Sequence, residues 1–292
     1  MRVTENSITG NYLYNQQQIL KSRTKIQMQL ATNSKIQTLS DDVTASLESM
    51  KINSQIKKTD VYLDNAKKVQ QFMDASLGSL DSITSQIQKI MTLAVDAENP
   101  LNANNLGLMS DSIKGSLTSI IQNVNAKHND MPLFGGTNFR DVPVTQDADG
   151  KAVLSAEDFS GEMKTQVSQN IKQAMNIPGS KILGSGLFES INSIIDSLDA
   201  GNVPTSAQKA DLEAAYKNLL NIQSLGGQTI NRMDDLSQML TTQQTNLQYM
   251  LADKQNIDPA ELTIELQYKD YLLQLTNKLL AMNYPRTLFD YF

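Results

Sequence analysis

Apolar residues recur at alternating four- and three-residue steps in two long stretches of the chain. The first passes through Tyr62, Ala66, Val69, Met73, Ser76, Leu80, Ile83, Ile87, Ile90 and Ala94. The second passes through Leu212, Tyr216, Leu219, Gln223, Gly226, Ile230, Met233, Ser237, Leu240, Gln244, Leu247 and Leu251. That alternation keeps one narrow stripe on one side of a helix, the geometry of a coiled-coil seam. A narrow stripe suits a helical rod better than a globule, leaving little interior for a pocket and a long flank for neighbours.

The same periodicity predicts the flanking elements. Ile8, Tyr12, Ile19, Ile26 and Leu30 fall at steps of four and seven, with Gln16 and Arg23 between them, predicting a polar helix over about 6–33. Such a helix is marginal alone and needs a partner surface. Asn33, Ser34, Ser40, Asp41 and Asp42 are turn and cap types, and Ser40 or Asp42 is placed to cap a helix running to about Asp96. Asn99-Pro100 stops that helix, and a shorter one follows at about 103–127, completing an antiparallel hairpin. Thr205 opens the second long helix, about 206–252, in which Gly226-Gly227 signals a kink or a close helix contact. After Asp258-Pro259 a last helix spans about 260–283, with Leu272, Leu275, Leu279 and Met282 as its stripe, and Pro285 ends it.

The middle is different. Glycine and proline crowd together from Pro132 to Gly186, and between them lie short strand-like runs. Val142 and Val144, the turn Asp147-Ala148-Asp149-Gly150 and Ala152-Val153-Leu154 predict one hairpin. Thr165–Gln169 and Ile171–Ile177 predict a second, and Phe188, Ile191, Ile194, Ile195 and Leu198 mark a short helix. The expected fold is therefore mainly α: a long antiparallel coiled-coil-like helical rod with paired N- and C-terminal helices and a small β-rich (α+β) inserted domain. Its expected divisions are 1–40 and 258–292 as terminal assembly segments, 41–132 and 204–257 as the two parts of the rod, and 133–203 as the insertion.

Composition narrows the function. Of 292 residues, 40% are hydrophobic and 5% aromatic, so thin helical seams with polar flanks replace a thick core. The formal net charge of −6 argues against nucleic acid as main partner. Absence of Cys excludes a disulfide frame and thiol chemistry. No apolar run is long enough for a membrane span, and Met1–Gly10 carries no apolar secretory core, so export would use a route that reads no cleaved signal peptide.

Candidate chemistry is sparse. His128 stands alone, without Cys or a second His, at a predicted helix end; this disfavours both a metal site and a Ser-His-Asp hydrolase. Leu133-Phe134-Gly135-Gly136 and Gly184-Ser185-Gly186 lack the Lys and the spacing of phosphate loops. Asp147, Asp149, Glu157, Asp158 and Glu162 are scattered at turn positions. No catalytic, cofactor or metal residue is assigned. The 13 Met residues follow helix stripes, as adaptable seam packing does.

Four places, in order, resemble the flagellin family, in particular its members at the boundary of hook and filament. They are Leu39-Ser40-Asp41-Asp42, Leu133-Phe134-Gly135-Gly136-Thr137, Ile177-Pro178-Gly179-Ser180 through Gly186-Leu187-Phe188-Glu189, and Leu288-Phe289-Asp290-Tyr291-Phe292. The resemblance implies an extracellular structural subunit of the bacterial flagellum without enzymatic activity. It would be exported unfolded through the flagellar type III channel and assembled through paired terminal helices. Implied partners are copies of itself in a ring, the first hook-associated protein, flagellin and a flagellar export chaperone, with neither nucleic acid nor membrane. The expected assembly interface is Ile8, Tyr12, Ile19, Ile26, Leu30, Leu272, Leu275, Leu279, Met282, Leu288, Phe289, Tyr291 and Phe292. A minor flagellin polymerising into the filament itself is the alternative, and a ligand-binding or hydrolytic role for the insertion a third reading.

Overall fold

The computed structural model describes the backbone of residues 2–283 and the side chains of 10–282. Among the described residues, seven α-helices and six short strands follow in order: α1 (Arg2–Thr32), α2 (Val43–Asp96), α3 (Leu106–Val124), β1 (Lys127–His128), β2 (Met131–Pro132), β3 (Val144–Gln146), β4 (Ala152–Leu154), β5 (Lys164–Ser168), β6 (Ile171–Ala174), α4 (Ser180–Leu183), α5 (Leu187–Asp199), α6 (Ser206–Gln255) and α7 (Pro259–Asn283). The fold is mainly α, with three antiparallel two-stranded hairpins in the middle of the chain. It divides into two compact units, one of Met1–Lys57 with Gln244–Phe292 and one of Lys58–Gln243.

In the Lys58–Gln243 unit the stripes do what their spacing predicts. Ala66, Val69, Leu80, Ile83, Ile87, Ile90 and Ala94 of α2, and Leu212 and Leu219 of α6, are fully buried. All of these but Ala66 and Val69 share a core with Ile113, Leu117 and Ile120 of α3 and with Phe188, Ile191, Ile194 and Ile195 of α5. Gly226 marks a close helix contact rather than a kink. The helix is continuous there, and a Cβ at Gly226 would lie 2.7 Å from Cδ2 of Leu77. α6 begins with a reciprocal cap: the Gln208 side chain accepts from the Thr205 N–H at 2.7 Å, while the Gln208 N–H donates to the Thr205 hydroxyl at 3.3 Å.

The β-rich stretch is fastened to the helices by asparagines that imitate a neighbouring strand. Asn125 donates to the Val144 carbonyl at 2.6 Å and accepts from its N–H; Asn192 does the same for Ala152 at 2.8 and 3.0 Å. These two side chains pin β3 and β4, whose paired run is only three residues and too short to stand alone. The β5–β6 hairpin carries a bulge between Gln166 and Ser168. It buries Val167 with Ala66, Val69 and Met233, so this hairpin lies on α2 and α6. Asn65 of α2 donates to the Gln166 carbonyl at 2.7 Å, which secures it.

Two of the glycine-containing motifs meet. Gly179 approaches the Phe134 carbonyl so closely that a Cβ would overlap it, and Gly136, at φ 62°, packs against the Phe159 backbone. Glycine here permits backbone-to-backbone contact around a fully buried Phe134.

The segment after α3 departs from expectation. α3 ends at Val124, not near 127, and residues 127–132 form a tight hairpin through Asn129 and Asp130, both with positive φ. His128 therefore sits in a strand, its ring edge-on to Phe72 with centroids 6.0 Å apart, and has no place at a helix C-terminus. The Asn-Asp turn, flanked by runs too short to show period-two alternation, is why the sequence pattern misses it.

Candidate assembly surface

In the Met1–Lys57/Gln244–Phe292 unit, α1 lies antiparallel to α7. Gln16 Nε2 donates to Asn277 Oδ1 at 2.9 Å, and Arg23 Nε donates to Asp270 Oδ1 at 2.6 Å. A step of seven forward on α1 matches a step of seven backward on α7. Both polar seam residues of α1 therefore find polar partners, offsetting the loss of water around them.

The side chains sharing that face follow from the helical period. Tyr12, Ile19 and Leu30 are half-buried and Ile26 is buried. These predicted interface residues of α1 lie on the same stripe as Gln16 and Arg23, so their burial is within the chain. Ile8 lies in α1 with its side chain outside the described residues. The predicted stripe of α7 behaves differently. Leu272 is half-buried, but Leu275 and Leu279 are 39% and 38% exposed and Met282 is 74% exposed. Leu266, Leu273 and Leu280 are half-buried in the register of Asp270 and Asn277. Leu288, Phe289, Tyr291 and Phe292, with Pro285, lie outside the described residues.

The outward faces of these helices carry a second apolar set that spacing alone does not reveal. Leu13, Tyr14, Leu20 and Met28 are exposed on α1, as are Ile264, Tyr268 and Tyr271 on α7. Apolar side chains on both the inward and the outward face of one helix fit an element that packs on more than one partner.

The turn from α1 to α2 is built on two carboxylates. Asp41 accepts from the N–H groups of Gln37 and Thr38 at 3.1 and 2.9 Å and pairs with Lys25 Nζ at 2.8 Å. The Lys25 ammonium, then the two N–H groups, hold its carboxyl well below the usual carboxylate range. Asp42 caps α2 by accepting from the Ala45 N–H at 2.9 Å. The turn is tied to the end of α6 where the Lys35 N–H donates to the Gln255 carbonyl at 2.7 Å. Nearby, Lys254 pairs with Glu48 at 3.0 Å, which raises the lysine pKa.

Three of the acidic residues of the middle use their carboxylates locally. Asp147 accepts from the N–H groups of Asp149 and Lys151 within its turn, Asp158 accepts from the Ser160 N–H at 2.8 Å, and Glu162 pairs with Lys164 at 2.9 Å. Among the described residues, no three or more His, Asp or Glu side chains are placed to hold a metal ion. No helix there is long and apolar enough to cross a membrane.

Residues 3–139 match the family described as the bacterial flagellin N-terminal helical region. This stretch, a little under half of the chain, is similar to the N-terminal helical region of flagellins, and the fold is similar to those of solved flagellar hook-associated and junction proteins. A Vibrio parahaemolyticus protein assigned to the flagellar hook-associated class superposes with a TM-score of 0.65 at 18% identity, over 74% of this chain and all of that one. The flagellar hook-associated protein 3 of Legionella pneumophila gives 0.61 at 12% identity, over 69% and 97% of the two chains. The flagellar junction protein FlgL of Legionella pneumophila gives 0.55 at 14%, over 73% and 100%. No curated protein matches the sequence.

Proposed function

We propose that this chain is a structural subunit of the bacterial flagellum, forming the junction between hook and filament. The observation that carries this reading is the pairing of α1 with α7 while Leu275, Leu279 and Met282 remain turned outward. A pair of helices from opposite ends of a chain that still presents apolar side chains is equipped to be covered by neighbours. In this reading residues 1–40 and 258–292 are the assembly segments, 41–132 and 204–257 the rod, and 133–203 the outer insertion. Ile8, Tyr12, Ile19, Ile26 and Leu30 hold the pair together. Leu272, Leu275, Leu279, Met282, Leu288, Phe289, Tyr291 and Phe292 meet other subunits.

The partners are copies of the chain in a ring, the first hook-associated protein on one side and flagellin on the other, with a chaperone before export. The protein acts outside the cell and carries out no catalysis. Its chemistry suits passage through a narrow channel unfolded. There is no Cys to cross-link, and the seams hold many polar side chains, including buried hydroxyls of Ser46, Ser49, Ser116 and Ser237 without a hydrogen-bond partner. Each unsatisfied buried group costs about 1–3 kcal/mol, keeping the unfolding cost low.

Immunogold labelling of flagella tests the position: label confined to the hook–filament boundary supports it, and label along the filament favours the minor-flagellin alternative. A chain lacking Leu288–Phe292 should keep its Lys58–Gln243 unit folded yet fail to assemble. Full incorporation of that truncated chain would count against the interface.

A further inference from the structure

Among the exposed apolar side chains of the Lys58–Gln243 unit, one turn forms a projection, and a cleft elsewhere in the unit has apolar side chains in its lining; the net charges around the two are opposite. The projection lies where α2 gives way to α3. Leu101 is 86% exposed and Leu108, in the first turn of α3, is 71% exposed. Leu101 is held there firmly. Asn99 accepts from the Leu101 N–H at 3.1 Å, and the Asn102 side chain donates to the Asp96 carbonyl at 2.9 Å, so two asparagines lock the turn Pro100–Asn102 from both sides. A leucine fixed in water at this exposure gains nothing for the folded monomer.

The cleft lies farther back on the same helix, between α2, α6 and the β5–β6 hairpin. Met73, Ile177, Ile222 and Leu225 form its apolar lining, Glu162 and Lys181 stand in its polar wall, and its volume is about 140 Å³. A space of about this size has room for a benzene-sized group, hence for one leucine side chain. From Met73 to Asp96 the helix rises roughly 35 Å, so projection and cleft cannot meet within one molecule.

The surroundings match in charge. Asp96 and Asp111 are exposed beside the projection, and among the described residues neither carboxylate is in an ion pair. Lys181 is exposed in the wall of the cleft and Lys172 is exposed on β6, whose Gln173 and Ala174 line it; neither is in an ion pair among the described residues, while Glu162, also in the wall, is paired with Lys164. Two carboxylates outside any ion pair next to the apolar knob, and three lysines against the single carboxylate of Glu162 around the cleft, steer one end of the unit toward the other end of a second copy.

We propose that Leu101 of one copy seats in the Met73–Leu225 cleft of the next, with Asp96 and Asp111 facing Lys172 and Lys181. The contact is head-to-tail, joining two different patches, as a ring or tube requires. It names a copy-to-copy contact within the junction reading, and rests on it.

The chain has no cysteine, so single thiols report the contact without background. Flagella are assembled from a mixture of Leu101→Cys and Leu225→Cys chains and oxidised mildly. The expected result is a covalent dimer from the mixture, a ladder from the doubly substituted chain, and no dimer from either single variant alone. A parallel chain with Asp149→Cys, on an exposed turn, is labelled with maleimide gold to show where the protein sits. Label at the junction with no cross-link overturns this contact alone. Label at no place on the flagellum overturns the junction reading and the contact with it. A dimer from Leu101→Cys alone, or its capture by a different flagellar protein, also overturns the proposal. A second arm needs no thiol: Asp96→Lys with Asp111→Lys should lower incorporation, and adding Lys172→Glu with Lys181→Glu should restore it. Unchanged incorporation of the first pair counts against the contact.

Discussion

Arg23 and Asp270 stand 247 positions apart in sequence, yet the guanidinium Nε of one lies 2.6 Å from the carboxylate of the other. Both side chains are more than a third exposed, so the pair is screened, and its direct contribution is about 0.2–1 kcal/mol. Replacing either residue with Ala should destabilise the α1–α7 pair by that amount. Exchanging the two charges should recover most of it. Urea unfolding of the two single variants and the double variant measures the coupling, which should shrink in high salt. A coupling that ignores salt would mean the pair acts through packing.

Gly226 and Gly227 are neighbours with opposite expected behaviour. A Cβ at Gly227 meets nothing within 4 Å, so Gly227→Ala should stabilise α6 by up to about 1 kcal/mol through helix propensity. Gly226→Leu must displace Leu77 and Met73 and should cost about 1–3 kcal/mol. Thermal melts of the two variants should move in opposite directions.

Ser46 and Ser49 occupy buried positions of α2 with unpartnered hydroxyls. Each Ser→Ala change removes a desolvated polar group and adds helix propensity, and should stabilise by about 1 kcal/mol. If the polar seam serves export, the more stable chains should be secreted more slowly. Secretion rate measured against melting temperature would expose that trade-off, and equal rates at raised stability would refute it.

Asp41 gives the turn after α1 a pH dependence of defined sign. Its folded-state pKa is depressed, chiefly by Lys25, so its stabilisation is present above the ordinary carboxylate value of about 4 and is lost as pH falls from there toward the folded-state value. Asp41→Asn should therefore loosen α1 at neutral pH, and the gap between variant and parent should close in acid. Amide exchange of α1 at several pH values reads this directly.

The seams of α2 and α6 were legible because one apolar stripe at four- and three-residue steps has only one helical reading, and Asp42, Pro100, Thr205 and Asp258 bracket the ends with capping and stopping chemistry. The α1–α7 pair was legible as a need for a partner, but its register was not. Gln16 meeting Asn277 and Arg23 meeting Asp270 depend on contacts across most of the chain, which no local window contains. The stripe over 272–282 was visible, but not that Leu275, Leu279 and Met282 would stay exposed. That depends on which flank of α7 is already taken by α1. The attachment of β3–β4 was hidden for a related reason: Asn125 and Asn192 read as ordinary polar helix-end and helix-face residues until the strand beside them is known.

The α1–α7 pairing has a consequence for how a copy is completed. α7 is synthesised long after α1, so α1 waits through α2 to α6 before its complement appears. A copy cut short anywhere before Pro259 leaves Arg23 and Ile26 without their mates, whatever else has folded. The closing of that clasp thus certifies that a molecule has been completed through α7, and an interrupted one stays recognisable by its open end.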